Sequence, residues 1–268
     1  LFPQEERGRA VSRVYAAQLL GIAIGPVAGV AVSVRDLGAA YFATGILSLV
    51  AAAVTARTAL GALDPETGPL PRVRWSGRLT GALFAAASMG VATGVYEACW
   101  TLLMHAHHAS TLQIRLSWTF FCVPWVALSG VGGWLADHAN RRAIVAVGAV
   151  NVAFFMALYP HIHSNVALLF LGSVESIGTS LTAPAAASLL TEGAAEREFG
   201  RRQGLSATAN TGSLAAAAAI SGALFSHSPV LPFTAMAIAS ATLGLSTLWW
   251  WRRVAGRVAP SEATAPAP

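Results

Sequence analysis

The chain has 268 residues, of which 55% are hydrophobic and only 11% are charged, and its mean hydropathy is +0.58. Soluble domains carry about 25% charged residues, so this composition excludes an ordinary soluble domain and predicts a protein embedded in a lipid bilayer. The formal net charge is +5, but the placement of the arginines accounts for it, and we predict no nucleic-acid partner.

Eight apolar runs follow one another along the chain, each long enough for a membrane-spanning helix. A helix rises about 1.5 Å per residue and has about 30 Å of hydrocarbon to cross, and continuous rather than alternating apolarity favours helices over a barrel. We therefore predict an all-α fold, a polytopic membrane bundle of eight transmembrane helices. The runs are residues 12–34, 38–58, 79–104, 111–136, 142–160, 165–190, 202–226 and 230–251.

The basic residues other than histidine are all arginines, and they lie almost entirely on one side of the predicted membrane. When the connectors are assigned alternately to two sides, fifteen arginines fall on one side and Arg35 alone on the other, with Arg115 inside a run. Such a bias marks the cytoplasmic side. We predict an integral protein of the bacterial plasma (inner) membrane with both termini in the cytoplasm.

Histidines show the opposite distribution, because six of the seven fall on the side that is poor in arginine. One interpretation is a metal-binding or pH-sensing cluster. The other is that these are ordinary polar loop residues that avoid fixed positive charge outside. The six are His105, His107, His108, His161, His163 and His227, whereas His138 lies on the arginine-rich side. Cys99 and Cys122 both fall inside apolar runs, which predicts buried free thiols.

The first run contains the stretch "GIAIGPVAG", with Gly21, Gly25, Pro26 and Gly29. Glycines four residues apart clear one helix face for close backbone approach, and Pro26 removes one helical hydrogen bond and predicts a kink. Close helix packing alone would explain this pattern. A specific role in a transport mechanism is the alternative.

Three ionisable residues lie inside predicted spans, where charge is costly and therefore indicates function. Glu97 lies in "GVYEACW", Arg115 in "TLQIRLSW" and Glu175 in "LGSVESIG", near the middle of its run. A structural ion pair between Glu97 and Arg115 is one possibility, whereas no partner for Glu175 is evident. The nearby aromatic residues could stack on an apolar or aromatic solute or anchor the helix ends at the membrane interface. They are Tyr96, Trp100 and Trp118.

A polar connector, "GGWLADHANRR", separates the fourth run from the fifth. Asn140 lies in this connector, and asparagine tolerates the left-handed conformation better than most residues. The arginines would contact carboxylates or lipid phosphates, or only set topology. The residues singled out here are Gly133, Asp137, Arg141 and Arg142.

A weak internal repeat relates the start of the chain to its last quarter. A shift of 192 residues lays Glu6, Gly8 and Arg9 on Glu198, Gly200 and Arg201. This spacing predicts a repeat of six spans, of which the chain holds one complete copy and the last two helices of another. A genuine eight-span protein is the alternative. The predicted divisions are residues 1–60, a linker at 61–78, a six-helix bundle at 79–252 and a disordered tail at 253–268.

With these two motifs, the chain resembles the C-terminal two thirds of a major facilitator superfamily transporter, its runs corresponding to helices five to twelve of that fold. "GIAIGPVAG" resembles the helix-five motif of proton-coupled exporters, and "GGWLADHANRR" the weaker copy of the family's cytoplasmic loop motif. The resemblance implies that the helices carrying Glu97 and Glu175 face a central cavity. It also implies that Asp137 helps to close the cytoplasmic side against the start of the first helix, near Gly8 and Arg9.

The resemblance implies a secondary active transporter that moves small molecules by alternating access, with proton-coupled efflux as the leading hypothesis. It implies no enzymatic activity, no cofactor and no resident metal. The partners are then a small-molecule substrate, protons and the bilayer, with the oligomeric state open. An importer or facilitator of a sugar or metabolite is the alternative within transport. An intramembrane metalloprotein using the histidines and a non-transporting receptor are the alternatives from other classes.

Overall fold

The computed structural model describes residues 37–60, 73–194 and 198–255. In these ranges the chain forms seven α-helices, one 3₁₀ turn and no strand, which confirms the all-α class. The elements are α1 (Leu37–Leu60), α2 (Gly77–Ala106), α3 (Thr111–His138), α4 (Arg141–Leu158), the 3₁₀ turn Tyr159–His161, α5 (Asn165–Thr191), α6 (Phe199–Phe225) and α7 (Val230–Ala255). Helix α7 ends at Ala255, three residues past the predicted boundary at residue 252, and the predicted divisions stay predictions.

Five of the described helices are long and apolar enough to cross a membrane: α2, α3, α4 with its 3₁₀ turn, α5 and α7. Helix α1 has only a shorter apolar stretch, Phe42–Val54. Helix α6 is more polar, since it has two arginines and a glutamine near its start and Asn, Thr, Ser and Gly residues along its length. The run at 12–34, with Gly21, Gly25, Pro26 and Gly29, lies outside the described residues. A total of eight spans therefore stays a prediction.

The chain divides into two compact units, residues 1–70 and 71–268, so that α1 belongs to the first unit and α2–α7 to the second. The division falls within the stretch 61–78 that the sequence predicts as a linker. Within the second unit, α2, α4 and α6 begin at the same end. This end carries Arg78, Arg141 and Arg142, and we call it the arginine-rich end. The other end, with His105, His107 and His163, is the histidine-rich end.

The six helices of the second unit pack in a pattern with internal symmetry. Helix α2 packs on α6 and α7, α5 packs on α3 and α4, and α4 packs on α7. The pattern is unchanged when α2, α3 and α4 are exchanged with α5, α6 and α7, in that order. The α2–α6 contact then becomes the α5–α3 contact, and the α2–α7 contact becomes the α5–α4 contact. Three crossings reverse the direction of the chain, so the two triplets are inverted relative to each other, an arrangement that recurs in membrane bundles.

The interior is made mainly of small and aliphatic side chains, with its largest cluster toward the histidine-rich end. That cluster includes Leu103, Met104, Met156, Leu168 and Phe233. Cys99 and Cys122 are both buried in the interior, as the sequence predicts. A tight core at this end fixes the position of the neighbouring parts of α2, α4 and α5.

Two glycines on α2 allow α6 to approach closely. A Cβ atom added to Gly90 would overlap the main-chain oxygen of Asn210, and one added to Gly94 would overlap that of Leu214. The Asn210 amide also donates from Nδ2 to the Ala86 carbonyl oxygen at 3.1 Å. Small residues commonly serve this purpose in membrane helices, where packing rather than hydrophobicity holds helices together.

We therefore expect Gly90→Ala to destabilise the α2–α6 contact by about 1–3 kcal/mol, the usual cost of overpacking. The obstacle is backbone, which cannot move aside as a side chain can. Thermal unfolding of the full-length protein in detergent micelles measures the effect. Gly130→Ala is the matched control, because no described atom lies within 4 Å of the added Cβ. Equal unfolding midpoints for the two variants would contradict the proposed contact.

Candidate functional site

Helix direction brings three polar side chains together in the half of the bundle toward the histidine-rich end. Side chains of a helix tilt toward its N-terminus. Helices α2 and α4 run toward the histidine-rich end and α5 runs away from it. Tyr96 on α2 therefore tilts toward the arginine-rich end, whereas Glu175 on α5 tilts toward the histidine-rich end. Tyr159 lies just after α4, and the three side chains meet between these helices.

Glu175 is the centre of this arrangement, and its side chain is buried at 2% exposure. The Tyr159 hydroxyl donates to Glu175 Oε2 at 2.5 Å, and the Tyr96 hydroxyl donates to Glu175 Oε1 at 2.8 Å. Each carboxyl oxygen thus has its own hydroxyl donor. The sequence identified Glu175 and Tyr96 but gave Glu175 no partner, so both hydrogen bonds are new information.

The backbone at Glu175 is also held in place. Asn151 on α4 donates from Nδ2 to the Glu175 carbonyl oxygen at 3.1 Å, and the Thr179 hydroxyl donates to the same oxygen at 3.1 Å. A Cβ at Gly178 would overlap the Asn151 amide group. The glycine therefore allows α4 to reach the main chain of α5 at the turn that carries the acid.

Aromatic rings surround the two tyrosine hydroxyls. The centroids of Trp100 and Tyr159 are 5.0 Å apart, and those of Tyr96 and Tyr159 are 6.1 Å apart, in both cases edge to face. Trp100 is buried and donates from Nε1 to Ser117 Oγ at 2.8 Å. Trp118 is partly buried and packs against the same cluster. Trp100 is therefore part of the protein interior rather than an interface anchor, and the rings shield the carboxyl group from water.

The structure does not bring Glu97 and Arg115 into this cluster. Glu97 is exposed on α2 and Arg115 is partly buried near the start of α3. Among the residues that the structure describes, no ion pair joins these two side chains, so the alternative of a structural pair gains no support. A role for either residue in a cavity stays a prediction.

The predicted loop motif belongs mostly to the last turns of α3, and the connector to α4 is only two residues long. Asp137 forms an ion pair with Arg141 at 3.6 Å, and Arg141 Nε donates to the Ala136 carbonyl oxygen at 2.6 Å. Gly133 has no described atom within 4 Å of an added Cβ, whereas the preceding Gly132 would overlap the main chain of α5. The glycine that permits close packing is therefore Gly132.

Asn140 does not adopt the left-handed conformation that the sequence led us to consider. Its φ is −70°, and its side chain accepts hydrogen bonds from the main-chain amides of Arg142 at 3.1 Å and Ala143 at 3.4 Å. These are the amides that lack partners at the first turn of a helix. Asn140 is thus the N-cap of α4, which gives it a reason to be asparagine that does not depend on backbone strain.

Other polar contacts at the arginine-rich end join the ends of several helices. Glu192, just after α5, lies 3.7 Å from Arg78 and 3.9 Å from Arg142. Arg142 therefore lies within ion-pair distance of a carboxylate, and its role in a gate stays a prediction. Arg202 forms a buried ion pair with Glu198 at 3.1 Å and also donates to the carbonyl oxygens of Leu190 and Glu192 at the end of α5.

Two histidines of the described part of the chain form a stacked pair. His107 and His163 stack with ring centroids 5.3 Å apart. In the described ranges no three His, Cys, Asp or Glu side chains gather in a way that could hold a metal ion. The metalloprotein alternative, which needs several histidines to meet, thus lacks support from the described residues.

Comparison with known proteins assigns the chain to a family. Residues 79–268, more than half of the chain, match the family described as Major Facilitator Superfamily. No curated protein matches the chain. Members of this family are transporters rather than enzymes, and the apolar helices agree with an integral membrane location and contact with lipid. The family match and the helical bundle together show that this chain belongs to the major facilitator superfamily of membrane transporters.

Proposed function

We propose that this protein is a proton-coupled secondary transporter that exports small molecules by alternating access. One observation carries the proposal, namely the carboxyl group of Glu175, which lies inside a membrane-spanning helix with two tyrosine hydroxyls as partners. Ionisable groups at such depth are costly and serve proton relays or substrate binding in membrane proteins. Among the residues that the structure describes, no basic side chain pairs with the Glu175 carboxyl group, so the site differs from a neutralised ion pair.

The hydroxyl partners suit a group that changes its protonation state. A carboxylate only accepts hydrogen bonds, and both tyrosines can donate to it. A protonated carboxyl group donates one hydrogen bond, and a tyrosine oxygen can accept it after its own hydroxyl rotates. Both states of Glu175 can therefore be satisfied by the same two residues, with no second side chain moving in. An unpaired buried polar group would otherwise cost about 1–3 kcal/mol.

The surroundings of Glu175 favour exchange of the proton only when the bundle opens. The rings of Trp100 and Tyr159 and the packed core exclude water in the closed arrangement. A rearrangement that admits water would stabilise the charged form and release the proton. Glu97 is exposed on the same helix as Tyr96, and we propose it as a second group of the cavity, with Arg115, Trp100 and Trp118 contributing to the contact with solute.

The arginine-rich end is proposed to be cytoplasmic, in a bacterial inner membrane, because fifteen arginines lie on that side in the predicted topology. The contacts of Glu192 with Arg78 and Arg142 join the starts of α2 and α4 to the end of α5. We propose that these contacts, together with the ion pair of Asp137 at the end of α3 with Arg141 at the start of α4, stabilise the closed cytoplasmic side of the transporter.

Flux measurements in proteoliposomes test the proposed function. The full-length protein would be reconstituted, a pH gradient imposed, and movement of a fluorescent aromatic solute followed in both directions. We expect solute movement that is opposite in direction to proton movement and is lost when an ionophore collapses the gradient. Movement in the same direction as protons would support the importer, movement without any dependence on the gradient would support a facilitator, and binding without flux would support a receptor.

A further inference from the structure

The stacked pair of His107 and His163 joins two connectors at the histidine-rich end. The ring planes differ by only 24° and the centroids are 5.3 Å apart. His107 is the C-cap of α2, and His163 lies between the 3₁₀ turn and α5. The stack therefore links the end of α2 to the segment that leads into the helix carrying Glu175.

A hydrogen bond next to the stack joins the same two segments. Asn165, the first residue of α5, donates from Nδ2 to the His107 carbonyl oxygen at 3.1 Å. Within the described part of the chain, His107 Nδ1 and Asn165 Oδ1 are buried and have no hydrogen-bond partner. Buried polar atoms are nearly always paired, so two unpaired atoms in one contact indicate a site whose pairing can change.

The electrostatic surroundings of His107 oppose a positive charge. Burial lowers the pKa of His107 below its usual range, and positive charge on His163 or His108 lowers it further. These two histidines are the titratable groups that act on it, one across the stack and one next along the chain. His108 adopts a left-handed conformation with φ at 56°, just after the end of α2.

We propose that His107 and His163 form a second proton-binding site, separate from Glu175, which links α2 to the start of α5 while neutral and releases that link when both rings are protonated. Each imidazole takes one proton from water, and no other bond forms or breaks. Two like charges at this separation repel, and the Asn165 hydrogen bond alone would then hold His107 and the start of α5 together at this end, so the two segments should separate locally.

The direction of the pH dependence follows from the lowered pKa of His107. Because His107 is harder to protonate in the packed state, that state is most stable relative to the open one when the pH lies above the ordinary histidine pKa of about 6.5. That stabilisation is lost as the pH falls from about 6.5 through the lower value of the packed state. The link should therefore be intact at neutral pH and weakened in acid.

Hydrogen–deuterium exchange of the full-length protein in detergent micelles tests this proposal. The reporters are the amides of His107, Ala109 and Leu168, which donate to Leu103, Met104 and Ser164 respectively. On going from about pH 7.5 to about pH 5, and after correction for intrinsic exchange, we expect protection to fall about five- to tenfold at these amides. The amide of His227, in another turn at the same end, should not respond.

Two substitutions make the test specific. His163→Phe keeps an aromatic ring in the stack but removes its charge, so protection should persist at neutral pH and no longer fall in acid. His227→Phe is the matched control and should respond to acid as the wild type does. Wild-type protection that is unchanged in acid, or a His163→Phe variant that still responds, would overturn the proposal. If His163→Phe already lacks protection at neutral pH, the ring stack itself is not what stabilises the link, and the proposal also fails.

This result does not depend on transport. Glu175→Gln should leave the acid response of the histidine pair unchanged, because none of the contacts between His107, His163 and Asn165 includes Glu175. A protein that shows the acid response but no gradient-driven flux would thus refute the proposed function and support the second proton site. A protein that transports but shows no acid response would support the proposed function and refute the second proton site.

Discussion

Glu175→Gln is expected to reduce gradient-driven transport to less than about a tenth of the wild-type rate, because an amide cannot bind and release a proton at this depth in the membrane. Glutamine has the size of a protonated glutamate, and its amide can still pair with the hydroxyls of Tyr96 and Tyr159. The fold should therefore persist. Flux of the aromatic solute into or out of proteoliposomes under a pH gradient measures the effect.

Two comparisons separate loss of coupling from loss of structure. Exchange of solute across the membrane without a gradient should continue in Glu175→Gln, since alternating access itself does not require the proton to move. Tyr159→Phe removes one hydroxyl but retains the carboxyl group, so we expect slower coupled transport with a changed pH dependence rather than its loss. Undiminished uphill transport by Glu175→Gln would show that the proton travels elsewhere.

Glu198→Ala is expected to destabilise the protein by about 3–5 kcal/mol, the usual cost of leaving one partner of a buried ion pair alone. The side chains of Arg202 and Glu198 are only 4% and 7% exposed, and their charged groups are 3.1 Å apart. Arg202 would keep its bonds to the carbonyl oxygens of Leu190 and Glu192, but its charge would lack a carboxylate. Unfolding of the full-length protein in mixed detergent micelles measures the difference.

The exposed pair of Asp137 and Arg141 is the matched control, since it has the same spacing of four residues along the chain. The Asp137 side chain is 71% exposed, and ion pairs in water contribute about 0–1 kcal/mol. Asp137→Ala should therefore have little effect on stability. Replacing both buried residues, as in Glu198→Leu with Arg202→Met, should recover most of the loss. Equal effects of Glu198→Ala and Asp137→Ala would contradict the importance of burial.

The helices could be predicted from the sequence because membrane spans require long continuous apolar runs. The described helices begin and end within a few residues of the predicted runs, and serines or Asn140 cap several of their starts. Glu175 could be identified for the same reason, since an acid in an apolar run is conspicuous. These features depend on local sequence, which is why sequence alone was sufficient.

The partners of Glu175 could not be predicted, because they depend on which helices pack together. Tyr159 lies at the end of its run, where an aromatic residue is expected to anchor the helix at the membrane interface, and sequence gives no indication that its hydroxyl reaches back to α5. Asn151 appeared as a polar residue within an apolar run, and only the approach of α4 at Gly178 explains it. Its polar side chain within an apolar run does predict a hydrogen-bond partner on a neighbouring helix, although not which partner.

The role of Arg202 was missed for a different reason. The distribution of the arginines marks the cytoplasmic side of the predicted membrane, and a bias of that kind does not distinguish exposed residues from buried ones. Arg141 and Arg142 are partly exposed, whereas Arg202 is buried against the end of α5. Its pairing with Glu198 follows from helical spacing, but its burial depends on the position of α5.

Infrared difference spectroscopy of the full-length protein tests most directly whether Glu175 is a proton-binding group. Spectra would be compared between acid and alkaline buffer, with no solute needed. We predict a carbonyl stretching band of a buried carboxylic acid that is present in acid, disappears in alkali, is absent from Glu175→Gln and is displaced in frequency in Tyr159→Phe. A band that persists unchanged in Glu175→Gln, or the absence of any titrating buried carboxyl band in the wild type, would contradict the proposed role of Glu175.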